Sequence, residues 1–175
     1  MKDALAPLTE KERALAVRLA GEDATLAPVV AGRARTVLVE AAQGPRGARA
    51  GVRHAVVGVY DYDGNRGYVA AVDLEQGQAV EVHEVLVRFQ LSPEEKAEAE
   101  ELAGKDRRVR RFLGDRPMRP LTRLYFPPTP AKHKPAHRYA IVFVRPNASE
   151  RRYAVVDLSA GRVTEVLAAD DLAGV

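Results

Sequence analysis

The sequence predicts an α+β fold: two tandem units, each a helix packed on a four-stranded antiparallel sheet. Two observations carry this prediction. The chain repeats itself, since Leu8-Thr9-Glu10-Lys11-Glu12 returns as Leu91-Ser92-Pro93-Glu94-Glu95, and Tyr68-Val69-Ala70-Ala71-Val72-Asp73-Leu74 returns as Tyr153-Ala154-Val155-Val156-Asp157-Leu158. The offset is 83 from Thr9 to Ser92 and 84 from Asp73 to Asp157. That period is too long for a solenoid and suits a small domain. Each copy also reads in one order, a capped helix followed by four strand segments divided by turn residues. The expected units span residues 5–88 and 89–170, the second with a short extra helix over 107–113.

Each unit opens with a helix signal. Thr9 is an N-cap with Glu12 three residues on, and Ser92 is one with Glu95, so both have the capping-box spacing. Pro93 stands at the first helical position, where its missing N–H costs nothing. Leu15, Ala16 and Leu19 share one helical face, as do Ala99, Leu102 and Ala103. Gly21 and Gly104 are the expected stops. In the extra helix, Val109, Phe112 and Leu113 are expected inward.

The strand segments are residues 36–41, 54–61, 67–74 and 79–87 in the first unit. In the second they are 121–126, 139–145, 152–158 and 162–167. Asp63-Gly64-Asn65 and Asn147-Ala148-Ser149 read as hairpin turns, as do Glu75-Gln76-Gly77 and Ser159-Ala160-Gly161. A longer loop recurs as well, over 42–53 and 127–138. The second strand of each copy is apolar nearly throughout, as in Ala55-Val56-Val57 and Ala140-Ile141-Val142-Phe143-Val144. Such runs mark strands covered on both faces. One helix covers one face, so the other face must meet the sister unit or another chain.

Bulk composition narrows the field less. Hydrophobic residues are 46% and charged residues 29%, ordinary for a globular protein. Units of this size bury only about 60–65% of their unfolded surface, so each needs support. No apolar run reaches the roughly 20 residues that cross a bilayer. Met1-Lys2-Asp3-Ala4-Leu5-Ala6-Pro7 lacks a signal-peptide core, so the expected compartment is cytoplasmic, or secreted if a leader has been removed. Zero cysteines rule out disulfides and thiolate chemistry. The formal net charge is only +3.

Pro7-Leu8-Thr9, residues 68–74, Phe89-Gln90-Leu91-Ser92, Pro120-Leu121-Thr122-Arg123-Leu124-Tyr125-Phe126 and residues 151–158 carry a family resemblance. Through them the chain resembles the paired non-catalytic domains, second and third, that precede the catalytic domain of copper amine oxidases. The resemblance spans roughly residues 5–167 and implies a cystatin-like helix-on-sheet fold for each unit. A related likeness is to short peptidase-associated domains of the PepSY kind. The oxidase chemistry does not carry over. Its quinone arises from a tyrosine in an Asn-Tyr-Asp/Glu setting, and none of Tyr60, Tyr62, Tyr68, Tyr125, Tyr139 and Tyr153 follows an asparagine. Its copper is held by a His-x-His pair, which His54, His83, His133 and His137 do not form.

Four segments invite a chemical reading. Asp61-Tyr62-Asp63-Gly64-Asn65 looks like a calcium loop, but glycine falls fourth instead of sixth and Val72 stands where a bidentate glutamate belongs. A polar hairpin turn is the better reading. Lys132-His133-Lys134-Pro135-Ala136-His137-Arg138 puts two histidines in a basic loop. A bound metal would sit beside three cations there, so a solvated loop is expected. Its functional version is an interaction loop of Lys132, His133, Lys134, His137 and Arg138 that meets an acidic partner. Arg107-Arg108-Val109-Arg110-Arg111 with Arg116, Arg119 and Arg123 suggests nucleic acid. The preceding helix, with five glutamates against Lys96, carries −4, and no aromatic residues interleave the arginines as a single-strand platform requires. Nucleic acid is therefore argued against, and a solvated face with inter-helix ion pairs is expected. Asp73 and Asp157 occupy equivalent strand ends, where turn capping is a better reading than a catalytic pair.

The sequence thus points to a non-catalytic tandem module with no catalytic residue, metal or cofactor assigned. Its expected partner is another protein or a second copy of itself. A small-molecule or peptide binder using a groove between helix and sheet, or between the units, is the alternative, and a deep pocket lined by His83, Tyr68 or Tyr153 would favour it. A component linked to primary amine oxidation is a remote one.

Overall fold

A computed structural model describes residues 5–45, 51–86, 89–127, 133–146 and 150–168. The chain divides into two compact units, Met1–Phe89 and Gln90–Val175. In the first, α1 (Glu10–Gly21) and a one-turn α2 (Ala27–Val30) precede β1 (Ala34–Ala42), β2 (His54–Asp61), β3 (Arg66–Asp73) and β4 (Gln78–Val85). In the second, α3 (Pro93–Lys105) and α4 (Arg107–Leu113) precede β5 (Arg119–Tyr125), β6 (Tyr139–Arg145), β7 (Arg152–Asp157) and β8 (Arg162–Ala168). Each unit holds one sheet whose strands pair antiparallel in chain order. The α+β prediction of two helix-on-sheet units is what the structure shows.

Both capping boxes form. Thr9 Oγ1 accepts from the Glu12 N–H while the Glu12 carboxylate accepts from the Thr9 N–H, and Ser92 and Glu95 repeat the exchange. Small residues let the helices lie close to their sheets. Ala16, Leu19 and Ala20 of α1 meet Ala55, Val57, Val59, Tyr68, Ala70 and Val72 in one core. In the second unit, Thr122 donates to Glu100 of α3 at 2.6 Å and stands in register with Val142, which marks the helix side of that sheet. Ala140, Val142, Val144, Ala154 and Val156 alternate onto this side and are fully buried, as are Ala99 and Ala103 of α3.

Several boundaries differ from expectation. Gly21 ends inside α1 and the cap is Glu22 in right-handed geometry, while Gly104 lies within α3. The true stop of α3 is Asp106, whose extended backbone breaks the helix and whose carboxylate accepts from the N–H groups of Arg108 and Val109 to start α4. The short α2 was not anticipated; Pro28 sits in its first turn and its N-cap, Leu26, is fully buried. Strand β5 begins at Arg119, two residues early, and takes in Pro120. The turn at 147–149, Val87 and the loop residues 46–50 and 128–132 lie outside the described residues.

The outer face of the first sheet has a cover that the sequence reading did not foresee. Gly58 in β2 faces away from α1, and the ring of Phe89 lies against it. A Cβ at position 58 would stand 2.6 Å from the ring's Cε2, so any side chain there would displace the ring. In the second unit the place of Gly58 belongs to Phe143. Gly58 pairs with Leu38 and Val69, and Phe143 pairs with Leu121 and Tyr153. One unit draws an aromatic ring from the segment after its last strand; the other grows it from the strand itself, in edge contact with Tyr153 at 5.0 Å.

Candidate functional site

Three of the four histidines, the buried aspartates and the densest side-chain bonding gather where each long loop enters the second strand of its sheet. In the second unit this is the stretch 133–138, which contains four of the five residues read as an interaction loop. Arg138 is buried. Its Nε donates to Glu95 Oε1 at 2.5 Å, and its Nη2 donates to Glu95 Oε2 at 2.9 Å and to the Gln90 carbonyl at 3.0 Å. The Glu95 carboxylate thus serves both the helix cap and a fork of guanidinium donors, the geometry in which a buried charge pair is satisfied.

His137 donates from Nδ1 to both oxygens of Asp157, at 2.8 and 3.0 Å. Asp157, itself buried, also accepts from the Ala160 N–H at 2.9 Å, closing the β7–β8 turn. Tyr139 lies between the two histidines, its ring 5.1 Å from His133 edge-on and 6.3 Å from His137 in a stacked arrangement. Its hydroxyl accepts from the Lys134 N–H at 2.9 Å. Burial holds the Tyr139 phenol above its ordinary pKa and the Asp157 charge adds to this, against the lowering effect of the Lys134 N–H. The Lys134 side chain is exposed, whereas His133 is buried. Lys132 lies outside the described residues.

Of the loop expected to be solvated, Lys134, Pro135 and Ala136 are exposed, whereas His137 and Arg138 turn inward onto the buried carboxylates of Asp157 and Glu95. A His–Asp pair orients an imidazole, as in nucleophilic triads. The nearby hydroxyls, however, are already used in locking the loop: Tyr139 accepts from Lys134, and Ser159 Oγ accepts from the Arg138 N–H at 3.1 Å. What this cluster does chemically is fix the entry of the chain into β6.

The first unit carries the same device with altered parts. Arg53 Nε donates to Glu12 Oε1 at 2.7 Å, and its Nη2 reaches the carbonyls of Ala6 and Pro7. Glu12 is lowered to about 2, first by the Arg53 bond and then by the Thr9 N–H. Asp73 caps its turn through the N–H groups of Glu75 and Gln76. A histidine attends it too, but from a different position: His54 Nε2 stands 3.7 Å from Asp73. His54 occupies the strand place held by Tyr139 in the second unit, while His137 lies two residues before that strand. Sequence reasoning missed both Arg–Glu locks, although Arg53 and Arg138 precede the matched runs of the repeat.

Other candidates resolve in turn. Asp61 accepts from the Asp63 N–H and Asp63 from the Arg33 N–H, both at 2.9 Å, so the calcium-like segment is a braced hairpin. Among the described residues no group of three His, Cys, Asp or Glu side chains could hold a metal ion. Tyr68 fills the helix–sheet interface of the first unit, His83 is exposed on β4 beside Glu81, and Tyr153 lies on the outer face of the second sheet. Tyr68 and His83 thus lie on opposite faces of the first sheet. Of the arginine stretch, Arg108 pairs with Asp106 and reaches the carbonyls of Val163 and Thr164 on β8. Arg116 pairs with Glu150, and Arg116 and Arg152 both lie over the Phe112 ring, at 5.8 and 5.3 Å. The chain matches no protein-family model, and no curated protein matches it.

Proposed function

We propose that the chain is a non-catalytic tandem module that acts through protein contacts, as an accessory or regulator of a partner protein. The resemblance to the leading domains of copper amine oxidases is the family reading that accompanies it. One observation carries the proposal. The second sheet turns apolar side chains away from α3, and at its β5 side Leu121 keeps 38% of its surface exposed and Phe126, just beyond the strand, 53%. Large apolar groups clustered with arginines are the composition of a protein interface. The buried His, Asp, Glu and Arg groups described above are by contrast engaged in turns and caps, which supports a structural use for them.

The test is a tagged capture from the source cell's lysate read by mass spectrometry, with Leu121→Asp/Phe126→Asp as the paired control. A stoichiometric protein retained by the natural chain and lost by the double variant supports the reading. A folded chain that retains nothing overturns it.

A further inference from the structure

Each sheet has two edge strands, and unpaired edges attract other strands unless something blocks them. On two of the four, β1 and β8, a described arginine bonds an edge carbonyl. Arg13 of α1 donates to the Val39 carbonyl on β1 at 2.9 Å. Arg108 of α4 donates to the Val163 and Thr164 carbonyls on β8 at 3.2 and 3.3 Å. Strand β4 is an exposed strand with Glu81 paired to His83 and Glu84 to Arg66. On β5, no described residue bonds the backbone at the outer edge.

Two features fix which β5 groups face that edge. A proline within a sheet turns its missing N–H away from the ladder, so Pro120 faces outward, and the alternation of an antiparallel strand puts Thr122 and Leu124 with it. The repeat agrees, for Val39, whose carbonyl takes the Arg13 guanidinium, is the counterpart of Thr122: each stands opposite the matched valines Val57 and Val142. Where α1 has Arg13, α3 has the shorter-reaching Lys96.

The side chains of β5 define what could pair there. Arg119, Leu121, Arg123 and Tyr125 alternate onto the face away from α3, with Arg119 opposite Arg145 and Arg123 opposite Ile141. Arg119, Leu121 and Arg123 are exposed, and among the described residues no carboxylate lies within 4 Å of Arg119, Arg123 or Arg145. Like charges directly opposite one another oppose strand pairing. The arginines therefore disfavour the β5–β5 register that sets Arg119 against Arg123, and they favour an acidic strand. Exposed Leu121 between them would stay wet against a phosphate backbone, which argues for a peptide over nucleic acid.

We infer that β5 is a docking strand for an extended acidic segment of a partner protein. The segment adds antiparallel to the sheet, placing carboxylates opposite Arg119 and Arg123 and apolar side chains opposite Leu121 and Tyr125. This is strand addition, in which backbone bonds give affinity and alternate side chains give selectivity. The inference rests on the module reading above and names its site and the chemistry of its partner.

The probe is the fluorescein-labelled heptapeptide Val-Thr-Glu-Thr-Val-Thr-Glu, titrated against the full chain by anisotropy. Saturable binding is expected, with amide exchange slowed at Thr122 and Leu124. Methylating the three threonine nitrogens, which removes the peptide's edge-facing donors, should weaken it at least about tenfold, and so should Arg119→Glu/Arg123→Glu in the protein. The peptide with lysine in place of glutamate should not bind. Equal binding by the N-methylated peptide, an unchanged affinity in the double variant, or tighter binding of a single-stranded oligonucleotide overturns the inference. In the lysate capture, a partner retained equally by the natural chain and by Arg119→Glu/Arg123→Glu removes β5 and leaves the module reading standing. A chain that captures nothing removes both.

Discussion

At the residue scale, single side chains here are held by geometry that has a measurable consequence. Glu12 is depressed from 4.5 to about 2 because Arg53 and the Thr9 N–H both favour its charged form. A depressed carboxylate stabilises the fold fully above its unfolded pKa and loses that contribution as pH falls through the folded one. Acidification from about pH 4.5 to about 2 should therefore erode the stability of the first unit, and Glu12→Gln should flatten that dependence in urea midpoints measured across the window. Gly58 offers a second test. Gly58→Ala places a methyl group 2.6 Å from the edge of the Phe89 ring, so it should cost about 1–3 kcal/mol as overpacking. Phe89→Ala costs about 2 kcal/mol of lost burial on its own. The double variant should be less destabilised than the sum, because removing the ring removes the clash, and a double-mutant cycle by thermal unfolding reads this coupling directly.

At the scale of elements, the repeat is kept by function of position and not by identity. Both helices start with the same capping box, but they stop differently, and the second stop, Asp106, also starts α4. Its carboxylate sits below the ordinary range, chiefly through the Arg108 bond. Arg108 in turn closes the β8 edge. Asp106→Ala should cost about 1–2 kcal/mol by removing a cap, whereas Arg108→Ala should cost less in stability. Arg108→Ala should instead speed amide exchange along β8 and α4 without changing α3. Equal protection of β8 in both proteins would mean that the guanidinium does not hold the edge.

At the scale of the whole molecule, two units of similar topology carry the same Arg–Glu lock at different burial. Arg138 and Glu95 are 2% and 0% exposed at their side chains, against 11% and 19% for Arg53 and Glu12. Removing one partner of a buried pair strands the other charge and costs about 3–5 kcal/mol. Arg138→Met should therefore destabilise the protein by that order, and Arg53→Met by clearly less, since water can reach Glu12. Urea unfolding gives the size, and amide exchange shows which sheet loosens first. An equal loss in the two variants would show that burial does not set the cost.

The fold and the site were legible to different depths. The starts of α1 and α3, the hairpin turns within the described residues and the strand order followed from local chemistry: Thr9 with Glu12, Ser92 with Glu95, and glycines at positive φ at 77 and 161. Period and repeat sufficed there because caps and turns are decided within a few residues. The basic loop departed from its solvated expectation at His137 and Arg138 for the same reason in reverse. His137 and Arg138 look solvent-seeking beside Lys134, yet their partners, Asp157 and Glu95, lie 20 and 43 residues away. The ring that covers Gly58 comes from Phe89, and the guard of β8 comes from Arg108, both beyond any local pattern. The sequence by itself determined two capped helices and two four-stranded meanders. Only the tertiary structure decided which charges are buried and paired and which edge carbonyls a distant arginine bonds, because burial and pairing depend on what distant segments bring together.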